Sequence, residues 1–279
     1  MNAPQPFGLS SSSRAVLAAL LEARTGQQIA DHRSWRLDTA LQPLLRERGL
    51  GSLDELVALL MAGTDALIAD RIVEALLNGE SSFFRDQSLF DLIEQAMGEA
   101  ARPGGLRIWS AGCATGQEPL SLAMMFAERA EAGGGPVPEI VATDVSQASL
   151  RRARAGRYNQ FEIQRGLPIR RMMRWFQGDG DWIADPALVA MVSYRRMNLV
   201  SDPPPAGRYD LILCRNVLLY LTGEAKQSVF STLASALRPG GFLALGAGET
   251  VIGQTELFRP SARYRGLYER GDDVARRAA

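Results

Sequence analysis

The chain has 279 residues, of which 46% are hydrophobic, so it carries enough apolar material for a folded protein with a large core. Lys and Arg together number 31, as do Asp and Glu, and the zero net charge gives no indication of a nucleic-acid-binding protein. No apolar run approaches the roughly 20 residues that span a bilayer, and the first residues lack a signal-peptide pattern. We therefore expect a soluble cytoplasmic protein with neither a nucleic-acid partner nor a membrane-inserted segment.

The N-terminal part of the chain has the periodicity of helices. From about Arg14 to Asn78 the apolar residues recur at helical spacing, and glycine-containing breaks at 26, 49–51 and 63 interrupt the pattern. This pattern predicts an all-α N-terminal domain over residues 1–80. Residues 81–101 are predicted to form a linker segment and a helix.

From about Leu106 short apolar strands alternate with helices. The predicted elements are strands at 106–111, 137–143, 209–214 and 241–246 and helices at 117–131, 146–156 and 222–237. Such alternation is typical of a parallel sheet with helices on both faces. It predicts a doubly wound, Rossmann-like domain over residues 102–279. Between the second and third predicted helices, RWFQGDGDWIA reads as two short strands around a turn, so a small antiparallel β insertion is expected at about 158–199.

The stretch IWSAGCATGQEP, residues 108–119, predicts a strand that ends in a tight turn and leads into a helix. Gly112 and Gly116 let the backbone approach a ligand closely, and Asp144 ends the next strand, where a carboxylate can accept hydrogen bonds from both ribose hydroxyls. The spacing departs from G-x-G-x-x-G, which argues against a dinucleotide and favours an adenosine without phosphates. Purely structural roles for the glycines and the aspartate remain open here.

Five segments carry further short motifs: SSFFRD at 81–86, IWSAGCATGQEPLSLAM at 108–124, ATDVSQASLRRARAGRY at 142–158, LILCRNVLLYL at 211–221 and LRPGGFLALGAGE at 237–249. In this order they resemble the motif series of the CheR-type chemotaxis receptor methyltransferases. The resemblance covers nearly the whole chain. It implies transfer of a methyl group from S-adenosylmethionine to glutamate side chains of chemoreceptor helices, with S-adenosylhomocysteine as the product.

The resemblance also implies which residues bind the cofactor. Arg85 is expected to bind the methionine carboxylate, with a surface salt bridge as its alternative role. Ser81 keeps the hydroxyl of the threonine that is usual in the family. Gly79 stands where the family usually has asparagine, so one polar contact is in doubt unless Asn78 or the backbone replaces it.

Further cofactor contacts are implied along the chain. Glu118 is expected to face the cationic end of the cofactor, with a first-turn glutamate favoured by the helix dipole as the alternative. Asn198 and Leu199 match the segment that lines the adenine pocket, and Asn216 is expected to contact the cofactor or support its turn. The predicted cofactor-binding residues are Ser81, Arg85, Gly112, Glu118, Asp144, Asn198, Leu199, Arg215 and Asn216.

The implied catalytic residues are Arg215 and Tyr220, which match the family residues that hold the acceptor carboxylate and close over the methyl group. Their alternative roles are an edge charge and a core aromatic. A glutamate is already ionised near neutral pH and a sulfonium methyl is already activated, so the reaction needs positioning more than proton transfer. This fits a chain whose only histidine, His32, is expected at the surface.

Cys113 and Cys214 are too few for a zinc cage or a disulfide framework, and we expect two buried, reduced thiols and no metal. Two other functions are alternatives to the methyltransferase. A nicotinamide-dependent oxidoreductase would need the dinucleotide loop that is missing here. A non-catalytic signalling module that binds an adenosyl ligand is the stronger alternative.

The expected partner is the cytoplasmic domain of a methyl-accepting chemoreceptor, bound by a monomer. A basic excess in the N-terminal helices predicts a docking surface for glutamate-rich receptor helices. Its arginines are Arg14, Arg24, Arg33, Arg36, Arg46 and Arg48. The insertion resembles the family subdomain that, in some members, binds a receptor C-terminal pentapeptide. Its turn is shorter than in those members, so we predict an enzyme that does not bind the pentapeptide tether.

Overall fold

The computed structural model describes residues 11–29, 35–100, 104–178 and 180–271. The chain divides into two compact units, of which one runs to Asn78 and also takes in Tyr220–Thr222, while the other begins at Gly79. His32 and Arg33 lie outside the described residues. Across the described part of the chain, no helix is both long and apolar enough to cross a bilayer.

The first unit is a bundle of four helices. They are α1 (Ser11–Thr25), α2 (Trp35–Arg48), α3 (Leu53–Ala62) and α4 (Ile68–Leu76). Leucines at the predicted helical spacing, among them Leu17, Leu41 and Leu56, are fully buried in the core of the bundle. The short segment Tyr220–Thr222 joins this unit through an antiparallel bridge between Gln27 and Leu221.

The second unit contains the remaining helices and all strands of the described residues. In chain order they are α5 (Gln87–Glu99), β1 (Arg107–Ala111), α6 (Gln117–Glu131), β2 (Glu139–Asp144), α7 (Gln147–Ala155), β3 (Arg157–Tyr158), α8 (Gln160–Gln164), α9 (Ile169–Trp175), β4 (Phe176–Gln177), β5 (Trp182–Ala184), α10 (Pro186–Ala190), β6 (Val192–Arg196), β7 (Tyr209–Cys214), α11 (Gly223–Ala236), β8 (Leu237–Leu245), β9 (Phe258–Pro260) and β10 (Leu267–Arg270).

The large sheet has seven strands in the order β6-β2-β1-β7-β8-β10-β9. The first five are parallel, and β10 and β9 are each antiparallel to their neighbours. Because the chain moves outward from β1 in both directions, the strand order reverses between β1 and β7. The doubly wound fold is confirmed, and its carboxyl edge at β1 and β7 is where ligands bind in such sheets.

The insertion forms a separate three-stranded antiparallel sheet with the order β3-β5-β4. The range predicted for it, 158–199, also includes β6, which pairs in parallel with β2 in the large sheet. The sequence pattern did not reveal β6 because it is an edge strand with one buried residue, Val192, among exposed and half-buried neighbours. It therefore lacks the continuous apolar run of the inner strands.

Candidate active site at the carboxyl edge of the sheet

The turn between β1 and α6 requires glycine at two positions. Gly112 has φ 79°, and a Cβ there would lie 2.5 Å from Cγ2 of Val217. Gly116 has φ 94°, and its Cβ would lie 2.8 Å from Cβ of Ala153. Both conformations lie in the region where side chains are strained, and both positions are crowded. The predicted strand, tight turn and helix are confirmed.

Asp144 is held at the end of β2 by two backbone amides. Ala114 N donates to its Oδ2 and Ser146 N to its Oδ1, both at 2.8 Å. The amides of Gly112 and Cys113 both donate to Thr143 O, at 2.8 and 2.9 Å, and so tie the turn to the same strand end. The carboxylate is thereby fixed in orientation beside the glycine turn.

A buried ion-pair network lies at the same edge. The Arg215 side chain is only 2% exposed, its Nη1 donates to Glu118 Oε2 at 3.1 Å, and its Nη2 donates to Arg85 O at 2.8 Å. Nη2 also pairs with the Asp86 carboxylate. Ser110 Oγ donates to the other Glu118 oxygen at 2.8 Å. The network joins β1, α6, the end of β7 and the segment that precedes α5.

Most of the Arg215 donors are thus used within the protein. The Arg215 Nε is buried and has no hydrogen-bond partner among the described residues. Glu118, at the start of α6, accepts from both Ser110 and Arg215, so its position is set by side chains as well as by the helix dipole. The sequence motifs predicted both residues at the site, but they did not predict that the two residues contact each other.

The Arg85 side chain, unlike that of Arg215, is not part of the ion-pair network. It is half-buried, and its guanidinium forms no hydrogen bond or ion pair with any residue that the structure describes. The salt bridge considered as its alternative role does not form within that part of the chain. Its backbone oxygen accepts from Arg215 Nη2, so the main chain of Arg85 lies at the carboxyl edge.

The loop after β6 carries Asn198 and Leu199. Asn198 Oδ1 accepts from Val200 N at 3.1 Å, which shapes a tight turn, and Leu199 is buried. Met197 N donates to Asp144 O at 3.0 Å and fixes this loop beside the end of β2. The neighbouring positions of Asp144 and this loop depend on β6, which the sequence pattern did not reveal.

Among the residues that the structure describes, four other than glycine have positive φ: Phe84 at 44°, Asp86 at 62°, Ala114 at 47° and Asn216 at 58°. They lie in the segment before α5, in the glycine turn and after β7. Such conformations cost free energy and cluster at functional sites, so their position supports a ligand site at this edge. Within the described residues, the Asn216 side-chain amide has no hydrogen-bond partner.

Gly79, by contrast, is not required by its backbone or its surroundings. Its φ is outside the left-handed region, and a Cβ there would meet only Ser149 Oγ, at 3.7 Å. A larger residue therefore fits at this position. Ser81, two residues later, is half-buried, and its cofactor contact stays a prediction.

Tyr220 belongs to the helical unit, where Asn78 Nδ2 donates to its hydroxyl oxygen. Its backbone oxygen accepts from Gln28 N at 2.7 Å. Tyr220 is half-buried, and its role in catalysis stays a prediction. Asn78 keeps a second amide hydrogen and its side-chain oxygen, so whether it replaces the asparagine missing at Gly79 stays a prediction.

Both cysteines are free and buried, as predicted. Burial raises the pKa of the Cys113 thiol well above its ordinary value, and the nearby carboxylates of Asp144 and Glu118 raise it further. Burial also raises the pKa of Cys214 well above the usual range. Both thiols therefore stay protonated at neutral pH, and neither is an activated nucleophile.

Comparison with known proteins gives a family match and several close relatives. Residues 79–266 match the family model described as "CheR methyltransferase, SAM binding domain". The chain is 35% identical over 245 residues to chemotaxis protein methyltransferase 1 of Pseudomonas aeruginosa, covering 85% of this chain and 89% of the relative. It is also 35% identical over 256 residues to the chemotaxis protein methyltransferase of Vibrio parahaemolyticus, covering 90% and 93%. Among solved structures, a TehB-like SAM-dependent methyltransferase from Corynebacterium glutamicum is similar with a TM-score of 0.38 and 15% identity, covering 66% of this chain and 93% of the other.

Proposed function

The chain belongs to the CheR family of S-adenosylmethionine-dependent chemotaxis methyltransferases, and on that premise we propose that it methylates glutamate γ-carboxylates on chemoreceptor cytoplasmic helices. The products are glutamate methyl esters, which serve sensory adaptation, and S-adenosylhomocysteine. The observation that carries the proposal is Arg85, whose guanidinium has no partner among the described residues and whose backbone is bound at the edge that also presents the glycine turn and Asp144.

The cofactor site follows from the donors and acceptors at this edge. The free guanidinium of Arg85 suits the methionine carboxylate, because its planar fork can donate two parallel hydrogen bonds. The oriented carboxylate of Asp144 suits the ribose hydroxyls. We assign Asn198 and Leu199 to the adenine site, and Glu118 to the cationic end of the ligand because of its negative charge. Ser81, Gly112, Arg215 and Asn216 complete the proposed set.

The cofactor supplies a methyl group that its sulfonium already activates. What the protein adds is positioning, because the glutamate acceptor is ionised without help near neutral pH. Tyr220 accepts from Asn78, which leaves its own hydroxyl proton to donate toward the reaction. We propose that this proton orients the acceptor carboxylate, and that Arg215, the other implied catalytic residue, acts by holding Glu118 and the backbone of Arg85 in place. The protein is proposed to act as a monomer in the cytoplasm, where receptor signalling helices are found.

A methyl-transfer assay tests the proposed function. Purified protein is incubated with methyl-labelled S-adenosylmethionine and each receptor cytoplasmic fragment from the same cell, and base-labile label in the receptor is counted. Transfer to glutamates of at least one receptor is expected. Binding of S-adenosylhomocysteine without transfer to any receptor would favour the non-catalytic module instead.

The proposed docking surface contains fewer arginines without an ion-pair partner than the sequence suggested. Arg14, Arg24 and Arg48 form ion pairs with Asp38, Asp70 and Asp65, so their charges are partly compensated. The side chains of Arg36 and Arg46 on α2 form no ion pair with a described residue. We infer that these two arginines carry most of the attraction for glutamate-rich receptor helices.

Reversing both charges, with Arg36→Glu and Arg46→Glu together, is expected to lower kcat/KM for the receptor about tenfold at low salt, because interface charges mainly govern encounter. Affinity for S-adenosylhomocysteine should not change. Arg24→Glu is the matched control, since Arg24 lies on α1 and already faces Asp70. Unchanged receptor methylation in the double variant at low salt would remove α2 from the docking surface.

The enzyme is also proposed to work without a receptor tether. A peptide that adds as an extra strand needs a run of unpaired backbone groups at a sheet edge. Both edge strands of the small sheet, β3 and β4, are only two residues long. Titration with a receptor C-terminal pentapeptide should therefore give no saturable heat at micromolar concentrations. Receptors with and without the pentapeptide should be methylated equally well, and a micromolar dissociation constant would contradict the prediction.

A further inference from the structure

The Glu249 carboxylate binds four backbone amides. Its Oε2 accepts from Asn216 N at 2.7 Å and from Gly246 N at 2.8 Å. Its Oε1 accepts from Leu218 N at 2.8 Å and from Leu219 N at 3.3 Å. One side chain thus satisfies most of the amides in the loop that follows β7, and hydrogen bonds to a carboxylate are about twice as strong as neutral ones.

The turn after β8 brings this carboxylate to the loop. Glu249 N donates to Gly246 O at 2.9 Å, which closes a four-residue turn directly after the strand. Gly246 leaves room for the contact, because a Cβ there would lie 2.9 Å from both Asn216 N and Glu249 Oε2. The close approach of the two loops therefore depends on the glycine as well as on the carboxylate.

The loop that Glu249 holds, residues 216–219, ends in the first two residues of a 3-10 helix, Leu218–Tyr220, and touches the proposed cofactor site at two points. Asn216 has φ 58° and follows Arg215, whose side chain anchors Glu118 and the backbone of Arg85. The next residue, Val217, fills the space beside Gly112. A positive φ at asparagine costs free energy, so the loop needs external bonds to keep this conformation.

We propose that Glu249 is a positioning residue that holds loop 216–219 in the conformation in which Asn216 and the Gly112 turn complete the cofactor site. This inference rests on the proposed location of the cofactor at the carboxyl edge. Glu249 acts through backbone amides of the loop and does not itself contact the reacting groups.

Glu249→Gln tests this role with little change in shape. The amide replaces one acceptor oxygen with an NH2 group, which then faces two N–H donors. The control is Glu256→Gln, an exposed glutamate of the following loop. We expect amide exchange, followed by NMR, to accelerate at least about tenfold at Asn216, Leu218, Leu219 and Gly246, because local opening governs exchange. Amides of β7 and β8 should keep their protection.

The same variant should bind S-adenosylhomocysteine at least about fivefold more weakly by calorimetry, consistent with a lost set of charge-assisted bonds. Glu256→Gln should match the wild type in both measurements. Unchanged exchange at the four amides overturns the proposal, as does faster exchange without a change in affinity. Uniformly faster exchange across β7 and β8 would assign Glu249 to general stability and also overturns it. A wild-type protein that binds no S-adenosylhomocysteine would instead contradict the cofactor site.

Discussion

Arg215→Met is expected to lower the free energy of unfolding by about 3 kcal/mol, the scale on which removing one partner of a buried ion pair destabilises proteins. The Arg215 side chain is 2% exposed and that of Glu118 is 12% exposed. The substitution leaves the Glu118 carboxylate with Ser110 as its remaining side-chain partner in this network. Urea denaturation of wild type and variant, followed by circular dichroism, measures the difference.

Two further variants measure the separate effects of Asp86 and Glu118 on stability. Asp86→Asn should lower the free energy of unfolding by less than about 1 kcal/mol, because the Asp86 side chain is 43% exposed and solvent screens its ion pair with Arg215. Adding Glu118→Gln to Arg215→Met should recover part of the lost stability, since the buried charge that was left unpaired is then removed. An Arg215→Met protein within about 0.5 kcal/mol of wild type would show that this ion pair contributes little.

Local sequence patterns predicted the parts of the site that short stretches of chain build. Gly112 and Gly116 sit between an apolar strand and a helix, and their positive φ and crowding explain why these positions lack side chains. Asp144 ends the second strand, and the topology of a doubly wound sheet brings that end beside the first turn. Both predictions needed only periodicity and the rule for strand order.

Those local patterns did not predict contacts between residues that lie far apart in the sequence. Glu249 binds amides about 30 positions away, and nothing in the local sequence of either loop marks this pairing. The apparent basic excess of the N-terminal helices was reduced for the same reason, because Arg24 meets Asp70 only after the helices pack. Charge counted along a chain therefore does not show which charged side chains stay unpaired once the helices have packed.

Asp144→Ala is expected to weaken binding of S-adenosylhomocysteine by about 1–3 kcal/mol, the cost of leaving buried hydrogen-bonding groups without a partner. The structure adds a second cause, because the variant also leaves Ala114 N and Ser146 N without the carboxylate. Asp144→Asn keeps the shape and one acceptor oxygen, so a smaller loss of affinity is expected. Isothermal titration calorimetry measures each affinity directly.

Tyr220→Phe should show the opposite pattern, with affinity for S-adenosylhomocysteine within about twofold of wild type and kcat lowered about tenfold, a barrier change of about 1.4 kcal/mol. The hydroxyl that the variant lacks accepts from Asn78, and we assign its proton to the acceptor carboxylate rather than to the cofactor. Asn78→Ala should lower kcat in the same direction, because the tyrosine hydroxyl then loses the bond that orients it. Equal losses of cofactor affinity in the Asp144→Ala and Tyr220→Phe variants would contradict the separate roles of the two residues.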